Sequence, residues 1–221
     1  MRPRTETAPS YDGPAMTEPA PKNAPRVRMD PAERRAQLLA TARDVFAEKG
    51  YAASGLAEIA ERAGVNKRLV YYYFPDGRSE LFKAVMADVT AELVRTVQQA
   101  TRAPVHTAKK VERLVEALVA FFAEEPAAFA VLFRDPYGVR EPDVVLEAVV
   151  AQAELAREFA TLLSTAGAPA DTLLAVSSGV VAYVMRVIEM AVAGEIDRDT
   201  TVDACMTCIL GVMTQVGLPP A

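Results

Sequence analysis

From residue 31 onward, apolar side chains recur every three or four positions, a spacing that predicts helices separated by short breaks. Asp30-Pro31 marks a helix start, with an acid to cap it and Pro at the first helical position. Leu38, Leu39, Ala42, Val45 and Phe46 then share one face, and Gly50 stops the run. Ser54 stands where it can cap a short helix that turns Leu56, Ile59 and Ala60 inward. That helix ends at Ala63-Gly64, where Gly supplies a left-handed turn. Asn66 is a fresh cap for a second short helix over 67–74, closed by Pro75-Asp76-Gly77. Leu81, Phe82, Val85, Met86, Val89, Leu93 and Val97 trace the stripe of a long helix over about 79–103, ended by Pro104. Further helices are expected over about 107–124, 126–134, 143–166, 169–193 and 199–216. No stretch shows the period-two alternation of a strand, so the chain is predicted to be all-α, with about nine helices.

Residues 1–27 break the pattern. Pro3, Pro9, Pro14, Pro19, Pro21 and Pro25 punctuate a stretch with few apolar residues to offset the entropy of ordering, which predicts a disordered, Pro-rich tail. The expected organisation is tail 1–27, a three-helix head over 28–83 and a larger helical body over 84–221.

Two short helices joined by a Gly-containing turn, with a helix before and after, outline a helix-turn-helix. Ile59, Ala60, Val65 and Val70 lock the pair together, Ala60 being small where the second helix crosses. Phe74 falls on the same face as Val70 and reads as core. Lys67, Arg68, Leu69, Tyr71 and Tyr72 are then left at the exposed start and flank of the second helix, where a major groove would meet them. Cations and phenol hydroxyls suit phosphates and guanine edges, and aromatic or apolar surface suits thymine methyls.

The stretch from about residue 34 to 85 resembles the tetracycline-repressor-like (TetR) family of transcriptional regulators. The matching residues are Arg34-Arg35 and Leu39, Phe46-Ala47-Glu48-Lys49-Gly50-Tyr51, Glu58-Ile59-Ala60, Ala63-Gly64-Val65 and Tyr71-Tyr72-Tyr73-Phe74. The resemblance implies a DNA-binding head on a helical body that dimerises through its last two helices and often holds a small-molecule effector. It implies that Lys67 and Arg68 face base edges or phosphates, that Tyr71 and Tyr72 contact phosphate and thymine methyl groups, and that Tyr73 meets the backbone. Gly55 stands where the family commonly has a Thr or Ser bound to phosphate, so that contact comes from Ser54, from backbone N–H groups or from nowhere. Leu69 replaces a residue that is often small or polar, and is read either as a thymine-methyl contact or as packing. The connection 75–80 is one residue longer than usual, and Arg78 is matched across it to the family's phosphate-binding Lys.

Composition narrows the chemistry. The 221 residues are 51% hydrophobic, and a single His with two Cys leaves few ligand sets for metal, haem or iron–sulfur sites; no cofactor is expected. Cys205 and Cys208 form a CxxC, but they share a helical stripe with Ile209, Val212, Met213 and Val216 and read as core fillers. His106 reads as an exposed or capping residue. With no apparent signal peptide and no uncharged apolar run of about 18 residues, a cytoplasmic protein without a membrane span is expected. The net charge of -5 divides unevenly, with ten basic and eight acidic residues over 27–83 against ten and eighteen over 84–221.

The body's apolar helix over 169–193 carries no charge between Asp171 and Arg186. It is too apolar for a one-sided surface helix and reads as too short to span a membrane, so it is expected to be buried on several sides, and Ser177, Ser178, Gly179 and Ala182 let another helix approach closely. With the last helix, it is the expected homodimer interface. Phe121, Phe122, Phe129, Phe133, Tyr137, Tyr183 and Met185, with Arg186 and Glu189 as a polar pair, are candidate lining for a small apolar or amphipathic effector. The expected function is a dimeric repressor of a palindromic operator in double-stranded DNA, released by such a ligand. The alternative is an all-helical ligand-binding protein or enzyme with a structural helix-turn-helix. It lacks a catalytic inventory, having no metal cluster, no Gly-rich phosphate loop, and no Ser or Cys beside an evident base.

Overall fold

Helix α1 (Pro31–Ala53) opens on Pro31 and buries Leu38, Leu39, Ala42, Val45 and Phe46, the predicted stripe. The computed structural model describes residues 29–134, 142–163, 169–215 and 217; the predicted tail and Tyr137 lie outside them. Gly50, expected to stop the helix, kinks it instead, because its φ of +76° breaks the helical path for one residue and a last turn follows that carries Tyr51 into the core. There Phe46, Tyr51 and Phe82 meet with ring centroids 4.8–6.2 Å apart, joining α1 to the long helix that follows the head. Each such buried ring contributes on the order of 1.5–3 kcal/mol by leaving water.

Helices α2 (Leu56–Arg62) and α3 (Lys67–Tyr73) form the two short elements, and α4 (Arg78–Thr101) follows with every residue of its predicted stripe buried. At 1.5 Å per residue, α4 is roughly 36 Å long, which carries it from the head into the body. There it packs on α5 (Thr107–Glu124) and α7 (Pro142–Leu163). His106 caps α5, its Nδ1 accepting the Lys109 backbone N–H at 3.2 Å. The single short helix expected over 126–134 is instead a four-residue α6 (Pro126–Phe129) followed by a π-helical turn (Ala130–Arg134). Phe129 and Phe133 from this segment both pack on Phe122 of α5.

Helices α8 (Ala170–Val192) and α9 (Arg198–Gln215) close the body, α8 against α7 and α9, and α9 against α5. Among the described residues there is no strand. One connected set of buried side chains runs from Leu38 in α1 to Met213 in α9, so α1 is packed into the same core as the body helices.

Two expectations about α8 need correction. At 23 residues it is long and apolar enough to cross a membrane by length and composition, contrary to the expectation that it is too short. It is also not buried on several sides. Leu173, Ser177, Val180, Val184, Val187 and Ile188 face the body, while Leu174, Ala175, Ser178, Gly179, Ala182 and Tyr183 are exposed on the other side. The cause is that a single chain supplies helices to only one face of α8.

Candidate DNA-binding site

The turn between α2 and α3 is set by its backbone. Gly64 adopts φ +66°, the Val65 N–H reaches the Ala60 carbonyl at 2.9 Å and the Gly64 N–H reaches Glu61 at 3.0 Å, a pairing that satisfies the last carbonyls of α2. The next residues start α3 at once, with Asn66 Oδ1 accepting the Leu69 N–H at 2.9 Å. Val70 is fully buried and Val65 half-buried, so the inner face of the pair is apolar as predicted. Helix α1 is tied to this turn: Arg34 donates to Gln37, whose amide donates to the Ala63 carbonyl at 3.1 Å.

With that face inward, the outer face of α3 is open to solvent. Lys67 and Arg68 are exposed, Tyr72 is 76% exposed and Tyr71 44%, while Leu69 and Tyr73 are half-buried. Phe74 is buried. The Lys67 ammonium lies 5.7 Å from the centre of the Tyr71 ring, which orders a charge without neutralising it. The Tyr72 and Tyr73 rings meet edge to face at 5.2 Å.

Two expected contacts are placed differently. Ser54 neither caps α2 nor faces outward. It is 2% exposed, and its hydroxyl points back to the Gly50 carbonyl at 2.6 Å and the Val45 carbonyl at 3.3 Å, while Gly55 occupies the cap position. The single hydroxyl proton of Ser54 is thus engaged inside the head, next to the kink at Gly50. A phosphate contact from this side chain would have to break that engagement, whereas the backbone N–H groups at the start of α2 carry no such tie. Arg78 is held at the same junction, its guanidinium donating to the Ala52 carbonyl at 3.1 Å and lying 4.4 Å from the centre of the Tyr51 ring. It helps to fix the start of α4, and a phosphate at this position would meet a guanidinium already anchored to the head.

Other charges of the head are taken up in ion pairs. Lys49 meets Glu58 at 2.8 Å, and Arg62 meets Glu48 at 2.8 Å and Glu58 at 2.7 Å. The hydrogen bond from Lys49 holds the Glu58 carboxyl below its ordinary value, and the one to Glu48 raises Arg62 further.

In the body, a cavity of about 390 Å³ opens between α7, α8 and the segment around the π turn. It gathers five of the predicted lining residues, Phe129, Phe133, Met185, Arg186 and Glu189. Arg186 pairs with Glu189 at 2.6 Å, and that hydrogen bond raises its pKa. Phe122 is instead a fully buried plug, Phe121 packs half-buried against it at 5.0 Å, and Tyr183 lies on the exposed face of α8. Sequence reasoning missed Gln152, Ala153 and Ala156 of α7 and Val181 and Ala182 of α8, because the pairing of α7 with α8 leaves no mark in either helix's own periodicity. Val181 and Met185 also border a second, wholly apolar chamber of about 30 Å³ lined by Leu114, Leu118, Leu155, Phe159 and Ile209.

The cysteines behave as fillers. Cys205 is fully buried, and burial, with a smaller contribution from Cys208, pushes its thiol up to about 11, far from a reactive thiolate. Among the described residues there is no cluster of three metal-ligating side chains.

A helix-turn-helix with an open, cationic and aromatic second helix on an all-α body defines a DNA-binding transcriptional regulator. Residues 38–85 match the family model for bacterial regulatory proteins of the tetR family. The transcriptional activator FasR of Mycolicibacterium smegmatis is 31% identical over 203 residues, which cover 90% of this chain and 92% of that protein. The transcriptional regulator LuxR of Vibrio harveyi is 29% identical over 101 residues, 46% of this chain and 49% of LuxR. A TetR-like regulator from Rhodococcus sp. RHA1 shares the fold with a TM-score of 0.72 at 21% identity, over 85% of this chain and 99% of that one. The fatty acid degradation regulator FadR from Bacillus halodurans does so at 0.67 and 15%, over 81% and 95%. The chain belongs to the TetR family. Regulators of this family bind DNA and act as dimers.

Proposed function

We propose that this regulator binds a palindromic operator as a homodimer, α3 of each subunit entering the major groove of one half-site, and that a small amphipathic ligand in the body releases it. The observation that carries the reading is the open outer face of α3. Lys67, Arg68, Tyr71 and Tyr72 are exposed, although a helix-turn-helix used only for structure would pack them against its own body. Leu69 and Tyr73, half-buried beside them, complete the surface.

The dimer is assigned to α8 and α9. The exposed residues along the middle of α8, Leu174, Ala175, Ser178, Gly179, Ala182 and Tyr183, are apolar, aromatic or small, and the Ser178 hydroxyl is already bonded to the Leu174 carbonyl at 2.9 Å. On α9, Gly211 is exposed beside Thr214, whose hydroxyl is bonded to the Leu210 carbonyl at 2.9 Å, so a partner helix could approach there without stranding these two donors. The effector is assigned to the cavity at Phe129, Phe133, Met185, Arg186 and Glu189. An ion pair at its edge and an apolar chamber beyond Val181 and Met185 suit a molecule with one polar and one apolar end. FadR of Bacillus halodurans is by name a regulator of fatty acid degradation, in keeping with that chemistry. FasR of Mycolicibacterium smegmatis is by name a transcriptional activator. The protein acts in the cytoplasm, where its operator is.

Selection of bound duplexes from random DNA, repeated with amphipathic ligands, tests the whole reading. The expected result is an enriched palindrome whose complex dissociates with a subset of ligands. Enrichment of no sequence would overturn it.

A further inference from the structure

We propose that Arg35 is a phosphate contact of the DNA-binding head, gripping the duplex at the end of α3 opposite Lys67 and Arg68. The inference rests on the reading of α3 as the recognition helix. Most cations of the head are engaged within the protein. Arg43 pairs with Glu92 at 3.0 Å, Lys49 with Glu58, and Arg62 with Glu48 and Glu58, while Arg34 is bonded to Gln37 and Arg78 to the Ala52 carbonyl. Arg35 is exposed and makes no hydrogen bond or ion pair with the described residues. Its one contact of note is the ring of Phe74, with the guanidinium carbon 5.4 Å from the ring centre.

That contact places and orders the charge. Phe74 is buried and closes α3, so Arg35 sits beside the helix's C-terminal end. A contact with a ring uses none of the guanidinium's N–H groups as hydrogen-bond donors to an oxygen, and these are the groups that grip a phosphate in a fork. Lys67 begins α3 and Phe74 ends it, a separation of about 10 Å at 1.5 Å per residue. The major groove is ~12 Å wide, so cations at the two ends of α3 can meet the two backbones that border one groove. The Gln37–Ala63 bond ties the first turns of α1 to the α2–α3 turn, and Arg35 therefore moves with the recognition helix.

The test is the salt dependence of binding to the duplex enriched by selection, for the wild-type protein, Arg35→Gln, Arg35→Lys, Arg68→Ala and Arg62→Ala. Each phosphate contact contributes about 0.9 to the slope of log K against log salt, so Arg35→Gln should lower the slope by about 1.8 for a dimer. Arg35→Lys should keep it, and Arg62→Ala should leave it unchanged. A weakened Arg35→Gln complex with the wild-type slope would mean that Arg35 only packs on Phe74, and would overturn the proposal. An unchanged slope in Arg35→Gln beside a reduced one in Arg68→Ala would overturn this proposal alone. Salt-independent binding by the wild-type protein would overturn the recognition-helix reading with it.

Discussion

Asn66 shows how one side chain sets the direction of a functional helix. Its Oδ1 takes the Leu69 N–H at 2.9 Å immediately after the Gly64 turn, so α3 starts at a defined residue and Lys67 and Arg68 emerge together on its outer face. Asn66→Ala should cost about 1 kcal/mol, seen as a lower thermal midpoint with weaker DNA binding, and Asn66→Ser should restore both. An unchanged midpoint in Asn66→Ala would show that packing alone fixes α3. Asn66 is legible in the sequence because a cap needs only its own neighbours. Ser54 misleads for the same reason, since a Ser before an apolar run has the local signature of a cap. What decides its role is the pair of α1 carbonyls, of Val45 and Gly50, that the fold brings within reach of its hydroxyl. Phe121 and Phe122 are legible as aromatic but not as core or cavity, a choice made by Phe129 and Phe133 from another segment.

At the scale of elements, helices with one apolar stripe are the most legible. The seven predicted core positions of α4 are all buried, because a period of 3.6 names a buried face directly. Helix α8 is harder. Apolar on all sides, it gives no sign of which face meets its own chain and which is left for another. The structure separates the two, with Leu174 43% exposed at one end of the outer stripe. Leu174→Arg should therefore split the dimer without harming the subunit, and sedimentation should report the 23.8 kDa chain with its helical signal intact. A variant that stays dimeric would move the interface off α8. The π turn at Ala130–Arg134 has no counterpart in the sequence pattern, since four- and five-residue hydrogen-bond registers differ by one residue over a single turn.

Over the whole molecule, charge and architecture separate. Residues 27–83 carry a small positive excess and 84–221 a large negative one, so the overall charge of -5 belongs to the body. Within the head, ion pairs engage Lys49 and Arg62, while Lys67 and Arg68, beside exposed Tyr71 and Tyr72, pair with no carboxylate among the described residues. Such a head binds DNA weakly wherever charge alone is offered, and tightly only where specific contacts are made twice by a dimer. That α3 makes those contacts is the central claim. The direct measurement is the affinity of the selected palindrome for the wild-type protein, Lys67→Ala and Tyr72→Ala at one salt concentration, with thermal unfolding recorded alongside. Each substitution removes an interaction at both half-sites, worth roughly 1 kcal/mol or more apiece. Either variant should therefore bind at least about tenfold more weakly and unfold at the wild-type temperature. Wild-type affinity in both variants would contradict the account.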